Sequence, residues 1–342
     1  MIQIPGGYAK WRSLYLRAAG DAFYVAYNQD GKADVKDAIT VSEAHGYGML
    51  LAVYDNCRPD FDGLVRYFDL FRSKKGLLGW QQIMNHARQI VPAPEGGEGS
   101  ATDGDIDIAH ALFLAAEKWQ EPQFHARAVD LCRAIFEYTV NKDLWCLTLG
   151  DWVQRGDAKF WNMTRTSDFI LSAIHTFAAR DTERSAGWQN LLNSTINIAL
   201  ALLAEHPQTG LLPDFAHFKH GKWTAVHGEV LEGEHDGDYH YNACRVPWRF
   251  AAYLKATGDQ RVVPILAAQA RFFDTQKEIN AGYKLSGKSY VDYTDKAFTA
   301  PAWAALHIMG SPHAPRIFQT LEDDEAAYFG DTIAMLCVAQ CT

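Results

Sequence analysis

Apolar residues recur three and four positions apart in one segment after another of this 342-residue chain, and seldom in strict alternation. The clearest case is Ala109, Leu112, Phe113 and Ala116, which follow i, i+3, i+4 and i+7 and so share one helix face. Similar patterns run through residues 11–22, 46–54, 61–71, 124–138, 167–179, 188–204, 243–256, 262–273, 297–307 and 324–338. The chain is therefore predicted to form about eleven or twelve helices, with short strands only near 283–285 and 289–293. Gly/Asp/Pro-rich connectors at 92–105, 147–157 and 211–238 are long for a compact domain, and loops of that length tend to carry function. No linker-like break divides residues 1–342, so one domain of paired helices is expected. A ring of helix hairpins, an all-α toroid or barrel, places loops at each end, where those at one end can wall a cleft.

Composition narrows the partners. The formal charge of −9 and the lack of a Lys/Arg run argue against a nucleic-acid partner. No run of 18 apolar residues predicts a membrane span. Ten Trp and fifteen Tyr are many for this length. Such rings stack on the C–H faces of sugars while their polar tips hydrogen-bond, though most serve as core. Five histidines (His217, His220, His227, His235, His240) gather in one stretch, and His217 and His220 have usable zinc-ligand spacing. Neither a nearby cysteine nor an HExxH helix supports them, so no metal or other cofactor is expected. Six cysteines lack CxxC spacing; in an exported protein they can pair, and buried free thiols are the alternative.

Three acidic stretches are the candidates for chemistry. VSEAHGYGM (residues 41–49) offers Ser42 as an N-cap and places Glu43 in the first turn of a helix, at the mouth of a ring. There Glu43 either complements the helix dipole or acts on a ligand. Gly46 and Gly48 in the following turn mark a place where something approaches closely. ATDGDIDIAHALFLAAEKW (101–119) carries Asp103, Asp105 and Asp107, more carboxylates than capping requires. EVLEGEHDGDYHYNACRVPWR (229–249) packs Glu229, Glu232, Glu234, Asp236 and Asp238 into ten residues, either a solvated acidic loop or part of a site. Closely spaced carboxylates raise one another's pKa, as a general acid near neutrality needs.

Together these segments resemble glycoside hydrolase family 8. ATDGDIDIA satisfies the family signature, SEAHGYGM resembles the segment carrying its proton donor, and LTLGDW (147–152), TRTSDF (164–169), GLLPDF (210–215), LEGEHDGDYHYNACRVPWR (231–249) and YTDKAFTAPAW (293–303) resemble further family segments, over about residues 8–340. The resemblance implies an (α/α)6 barrel and hydrolysis of β-linked polysaccharide with inversion. It carries the proton donor onto Glu43 and makes Asp103 the residue that holds the sugar at the cleavage point.

The base departs from the commonest family pattern. Where the cellulase-like branch resembles an aspartate, this chain has Asn242, an amide that cannot take a proton. The sequence is more similar to the chitosanase and mixed-linkage β-glucanase branch, which implies Glu232 as base, with Glu234 the runner-up. Tyr241, Asn242 and Arg245 are expected on the cleft floor, Arg245 bonded to a catalytic carboxylate. Tyr47, Trp161, Arg165, Asp168 and Trp248 complete the candidate substrate contacts. Chitosan, mixed-linkage β-1,3-1,4-glucan and cellulose-type glucan are the expected substrates, cut internally. The crowded carboxylates of 229–238 favour glucosamine slightly. Loss of the base would instead leave a non-catalytic carbohydrate-binding toroid, the alternative reading of Asn242. A secreted monomer is expected, with a signal peptide absent from this sequence.

Overall fold

The structure, a computed structural model, describes residues 4, 6–27, 38–322 and 327–342. Among these residues lie twelve α-helices, which sort into two rings by the company they keep. The inner ring is α2 (Ser42–Tyr54), α4 (Thr102–Trp119), α6 (Leu171–Arg180), α8 (Val246–Thr257), α10 (Lys296–Ile308) and α12 (Tyr328–Cys341). Each packs on the next, and α12 closes the circle against α2. The remaining helices back them: α1 (Gly7–Tyr15) lies on α12, α3 (Arg58–Phe71) on α2, α5 (Pro122–Tyr138) on α4, and α7 (Ser185–Glu205) on α6. The short α11 (Ala314–Gln319) backs α10, while α9 (Val263–Asp274) spans α8 and α10. This is the (α/α)6 barrel.

Sequence patterning explains which helix goes where. On α3 the buried residues Phe61, Leu64, Val65 and Phe68 form one stripe, as an outer helix with a wet face requires. Inner helices touch neighbours on every side and lose that alternation: Thr102 to Phe113 of α4 and Ala297 to Leu306 of α10 are buried without interruption. A single apolar cluster runs from Tyr8 to Cys341. The N- and C-terminal helices are pinned together by Trp11 Nε1 donating to Thr332 Oγ1 at 2.8 Å and by Tyr15 Oη donating to Asp331 at 2.6 Å.

Two glycines set the closest approach in the ring. A Cβ on Gly104 would lie 2.5 Å from Ser42 Oγ, and one on Gly46 would lie 2.8 Å from the Asp107 Cβ. Glycine is needed at both because the backbones of α2 and α4 occupy that space. The first turns of these helices are thereby pressed side by side.

Some boundaries differ from the sequence reading. The periodic stretch 11–22 is helical only to Tyr15; β1 (Leu16–Ala19) and β2 (Ala22–Val25) then form a hairpin about Gly20, whose φ of 65° suits a tight turn. Ser42 is not the cap of α2. Strand β3 (Ala38–Val41) runs straight into the helix, Val41 holds the cap position, and Ser42 Oγ is buried without a partner. The helix expected from 167 begins at Leu171, after a 3₁₀ turn at Thr166–Asp168. Of the stretch 324–338, residues 324–326 lie outside the described residues, and α12 runs from Tyr328 to Cys341.

Strands are more numerous than alternation suggested, because each is too short to show it. β3 pairs with β4 (Gln81–Met84) and β4 with β5 (Ile90–Pro92); β6 (Val140–Asn141) pairs with β7 (Cys146–Leu147). A further three-stranded sheet orders β8 (Met163–Arg165), β9 (Phe215–Lys219) and β10 (Lys222–Ala225) over a small apolar cluster of Leu149, Val153, Met163, Phe215 and Val226. The strands expected near 283–285 and 289–293 are single bridges, Tyr239 to Tyr283 and Tyr283 to Ser289. All six cysteines are free thiols, five of them buried. No helix among the described residues is long and apolar enough to cross a membrane.

Candidate active site

The inner helices α2, α4, α8 and α12 begin at the same end of the barrel, and an open cavity of about 630 Å³ lies over their first turns. Its charged and amide lining comes from Glu43, Asp103, Arg165, Glu232, Asn242 and Arg245. Tyr27, Trp80, Tyr241, Tyr328 and Phe329 supply aromatic walls.

Arg245 organises one side. It precedes α8, and its Nη1 donates to Glu43 Oε2, to Asp103 Oδ2 at 3.0 Å and to Tyr47 Oη at 3.1 Å. Its Nη2 donates to Asn242 Oδ1 at 2.9 Å. The Gly104 approach makes this possible, since it brings Glu43 of α2 and Asp103 of α4 within reach of one guanidinium. Burial pushes Glu43 up to about 7; Arg245 pulls it down, and the Asp103 charge raises it again. Burial acts on Asp103 in the same direction, but Arg165 and Arg245 outweigh it and hold Asp103 below the ordinary carboxylate value. One helix mouth thus holds a carboxyl that keeps its proton near neutrality beside a carboxylate that has lost it.

Glu232 stands on the other side. Asn242 Nδ2 donates to its Oε2 at 2.7 Å and Arg165 Nη1 to its Oε1 at 3.0 Å. The two acids line one cavity and are linked by hydrogen bonds that run from Glu43 through the Arg245 guanidinium and the Asn242 amide to Glu232. Glu234 does not line this cavity; its side chain is 87% exposed, against 44% for Glu232. Asp214, just before β9, accepts the backbone N–H groups of His240, Asn242 and Ala243 at 2.7–3.0 Å and Asn242 Nδ2 at 3.1 Å. Burial pushes Asp214 up to about 7 against those hydrogen bonds.

Other candidates take different places. Trp248 is fully buried, edge-on to the Tyr47 ring at 5.9 Å and donating to Gln340 at 3.0 Å, and so belongs to the core. Trp161 lies outside the cavity and donates Nε1 to Asp143 at 3.2 Å. Tyr47 is buried beneath Glu43 and reaches the site only through its hydroxyl on Arg245. Asp168 is buried behind Arg165, its Oδ1 3.4 Å from Arg165 Nε, and burial pushes it up to about 7. Of the three signature aspartates, none caps α4. Asp105 accepts the Leu78 N–H at 2.8 Å, two residues from Trp80. Asp107 pairs with both terminal nitrogens of Arg249.

Sequence reasoning missed the aromatic walls Tyr27, Trp80, Tyr328 and Phe329; the last two lie in the periodic stretch 324–338, whose pattern marks a helix and not a cleft wall. It also missed a ladder for which a signal exists. Asp103 and Asp107 stand four apart on α4, Arg245 and Arg249 stand four apart at the start of α8, and the two pairs meet rung by rung. Of the carboxylates of 229–238, Asp236 is taken up by backbone amides of its own loop and Asp238 by Lys284 at 2.7 Å and His235 at 2.9 Å, while Glu229, Glu232 and Glu234 are exposed. Two of the histidines meet on one tyrosine: His235 stacks on Tyr290 at 3.9 Å, and His240 meets the Tyr290 hydroxyl at 2.7 Å. Among the described residues no three His, Cys, Asp or Glu side chains are grouped to hold a metal ion.

A helix ring with two separated carboxyls in an aromatic-walled cleft is the arrangement of a glycoside-cleaving enzyme. Comparison with known proteins agrees. The model for "Glycosyl hydrolases family 8" matches residues 5–342. A "Beta-glucanase" of Niallia circulans is 37% identical over 308 residues, 85% of this chain and 71% of that protein. "Endoglucanase 2" of Ruminiclostridium josui is 29% identical over 97% of this chain and 69% of its own length. The apo structure of a β-1,3-1,4-glucanase from Paenibacillus sp. X4 superposes with a TM-score of 0.86 at 32% identity, covering 97% of this chain and 89% of that one. The chain belongs to glycoside hydrolase family 8.

Proposed function

We propose that the protein is an inverting, endo-acting β-glucanase in which Glu43 is the general acid, Glu232 the base and Asp103 the carboxylate that holds the sugar at the cleavage point. The observation that carries this reading is that a largely enclosed Glu43, held by Arg245, and a separate Glu232, held by Asn242 and Arg165, line one cavity. Inversion needs an acid on one side of the glycosidic oxygen and a base holding water on the other, with carboxyls roughly 6.5–9.5 Å apart. Glu43 gives its proton to the leaving oxygen as the anomeric C–O bond breaks. Glu232 takes a proton from the water that attacks the opposite face. Arg245 meets the Glu43 carboxylate left behind, and Arg165 with Asn242 keeps Glu232 oriented.

A neutral glucan fits this cleft better than chitosan. With Glu43 protonated, the ionised side chains of the lining are Asp103 and Glu232 against Arg165 and Arg245. Within the cleft no carboxylate is left over to receive an ammonium group; of the acidic loop, Asp236 and Asp238 are already paired, and the exposed Glu229 and Glu234 do not line the cavity. Mixed-linkage β-1,3-1,4-glucan and cellulose-type glucan are therefore the proposed substrates, in keeping with the names of the relatives.

Reducing-end release tests the reading. Wild type, Glu43→Gln, Glu232→Gln and Glu234→Gln are assayed on soluble mixed-linkage glucan and on chitosan. Loss in the first two variants but not in Glu234→Gln, with glucan the faster substrate, is expected. Full activity in Glu232→Gln removes it as the base, and faster cleavage of chitosan overturns the charge argument.

A further inference from the structure

Four consecutive backbone N–H groups point at one buried carboxylate behind the base. Asp236 Oδ2 accepts from Val230 at 2.8 Å, Leu231 at 2.7 Å and Glu232 at 3.1 Å, and Oδ1 accepts from Gly233 at 2.9 Å. Asp236 does not line the cavity and is 3% exposed. Its own backbone is fixed twice, by its N–H on Gly233 O at 3.2 Å and by its C=O accepting the Phe215 N–H of β9 at 2.9 Å. The next residue, Gly237, lies so close to Val226 that a Cβ there would stand 2.1 Å from the Val226 carbonyl oxygen. The carboxylate is therefore a fixed point tied to the sheet, and the loop bearing Glu232 is folded around it.

We infer that Asp236 is a positioning residue for the base: it sets the main chain of Glu232, while Asn242 and Arg165 set its side chain. The inference rests on the reading of Glu232 as base. Glu232 sits in a connector outside the helices and strands, and among the described residues the backbone of 230–233 has no main-chain or side-chain partner other than Asp236. A base that must hold one water against the anomeric carbon tolerates little displacement; about 1 Å can cost about 100-fold in rate. Ionic acceptors make stronger hydrogen bonds than neutral ones, which suits a carboxylate collecting four donors.

The test uses the full chain and two substitutions. Asp236→Asn keeps the shape but turns at least one acceptor into a donor facing an N–H, and Asp236→Ala removes all four. On soluble β-glucan, kcat is expected to fall about 10- to 100-fold in Asp236→Asn and further in Asp236→Ala, with KM within about twofold. Azide, which attacks the anomeric carbon without needing a base, is expected to restore rate in both and to give the α-glycosyl azide, as in Glu232→Gln. A purely structural role does not produce that rescue. Unchanged kcat in both variants, or lost kcat that azide does not restore in the folded Asp236→Asn protein, overturns the clamp. If Glu232→Gln itself keeps its activity, the assignment of the base fails instead, and the two failures are told apart by that one control.

Discussion

Glu43 is a carboxyl whose environment opposes its charge, and its behaviour is predictable in sign. Its pKa is raised to about 7, so the acid form needed for protonation is present below that pH and is lost as pH rises through it. The alkaline limb of kcat/KM is expected near 7. Asp103→Asn removes a charge that raises Glu43 and leaves Arg245 to pair with Glu43 alone, so the limb is expected to move to lower pH in the residual activity. A limb that stays in place in Asp103→Asn contradicts the coupling. Glu43→Gln is expected to cost at least about 10²–10⁴-fold in kcat with binding retained, measured by turnover and by calorimetric titration with an oligosaccharide. At this scale the sequence revealed the charged residues and little of their surroundings. Glu43 and Asp103 stand at helix starts, where a short acidic stretch is visible. Trp80 reaches the cleft from a chain position with no local pattern, Tyr328 stands in a helical stretch whose pattern does not tell a core face from a cleft, and Trp248 turned inward because an aromatic residue after Pro247 reads the same in both.

The elements put these residues together through close approach and buried charge. Gly104→Ala forces a Cβ into the backbone of Ser42, and overpacking of this kind costs about 1–3 kcal/mol. Thermal melting is expected to drop by several degrees, with kcat falling as the Glu43–Asp103 spacing opens; a melting point within a degree of wild type counts against the approach of α2 and α4. The second rung of the ladder makes a pH-dependent prediction. Arg249→Met leaves Asp107 buried without its partner, and breaking such a pair typically costs about 3–5 kcal/mol. Burial already raises the Asp107 pKa and Arg249 is the strongest influence that lowers it, so the variant raises it further. A folded-state pKa above the unfolded value loses stability as pH rises through it, so the melting deficit is expected to be greater at pH 8 than at pH 5. Helices were legible from the sequence because a 3.6-residue stripe survives averaging over three turns, as in α3 and α5. The start of α2 was misread at Ser42 because a strand entering a helix directly leaves no capping signature. The hairpin after Tyr15 was read as helix because four-residue strands carry too few residues to reveal a period of two.

Across the whole molecule, the ring closes α12 on α2 and gathers residues about 200 positions apart, Glu43 and Arg245, at one mouth. Closure of this kind is not written in any local pattern; an unbroken run of paired helices suggests a ring, and the family resemblance, through segments spread over nearly the full chain, implies the (α/α)6 form. An open cleft predicts internal cutting, so the viscosity of a β-glucan solution is expected to fall early, well before reducing ends accumulate; release of monosaccharide alone from chain ends contradicts it. The central claim is that Glu43 and Glu232 act as a separated acid–base pair across this cavity, and stereochemistry tests it most directly. Proton NMR of the first products formed from mixed-linkage β-glucan is expected to show the α-anomer at the new reducing end, with the β-anomer growing in later by mutarotation. If the β-anomer appears first, bond cleavage proceeds with retention, and a water held by Glu232 opposite Glu43 is not how this enzyme works.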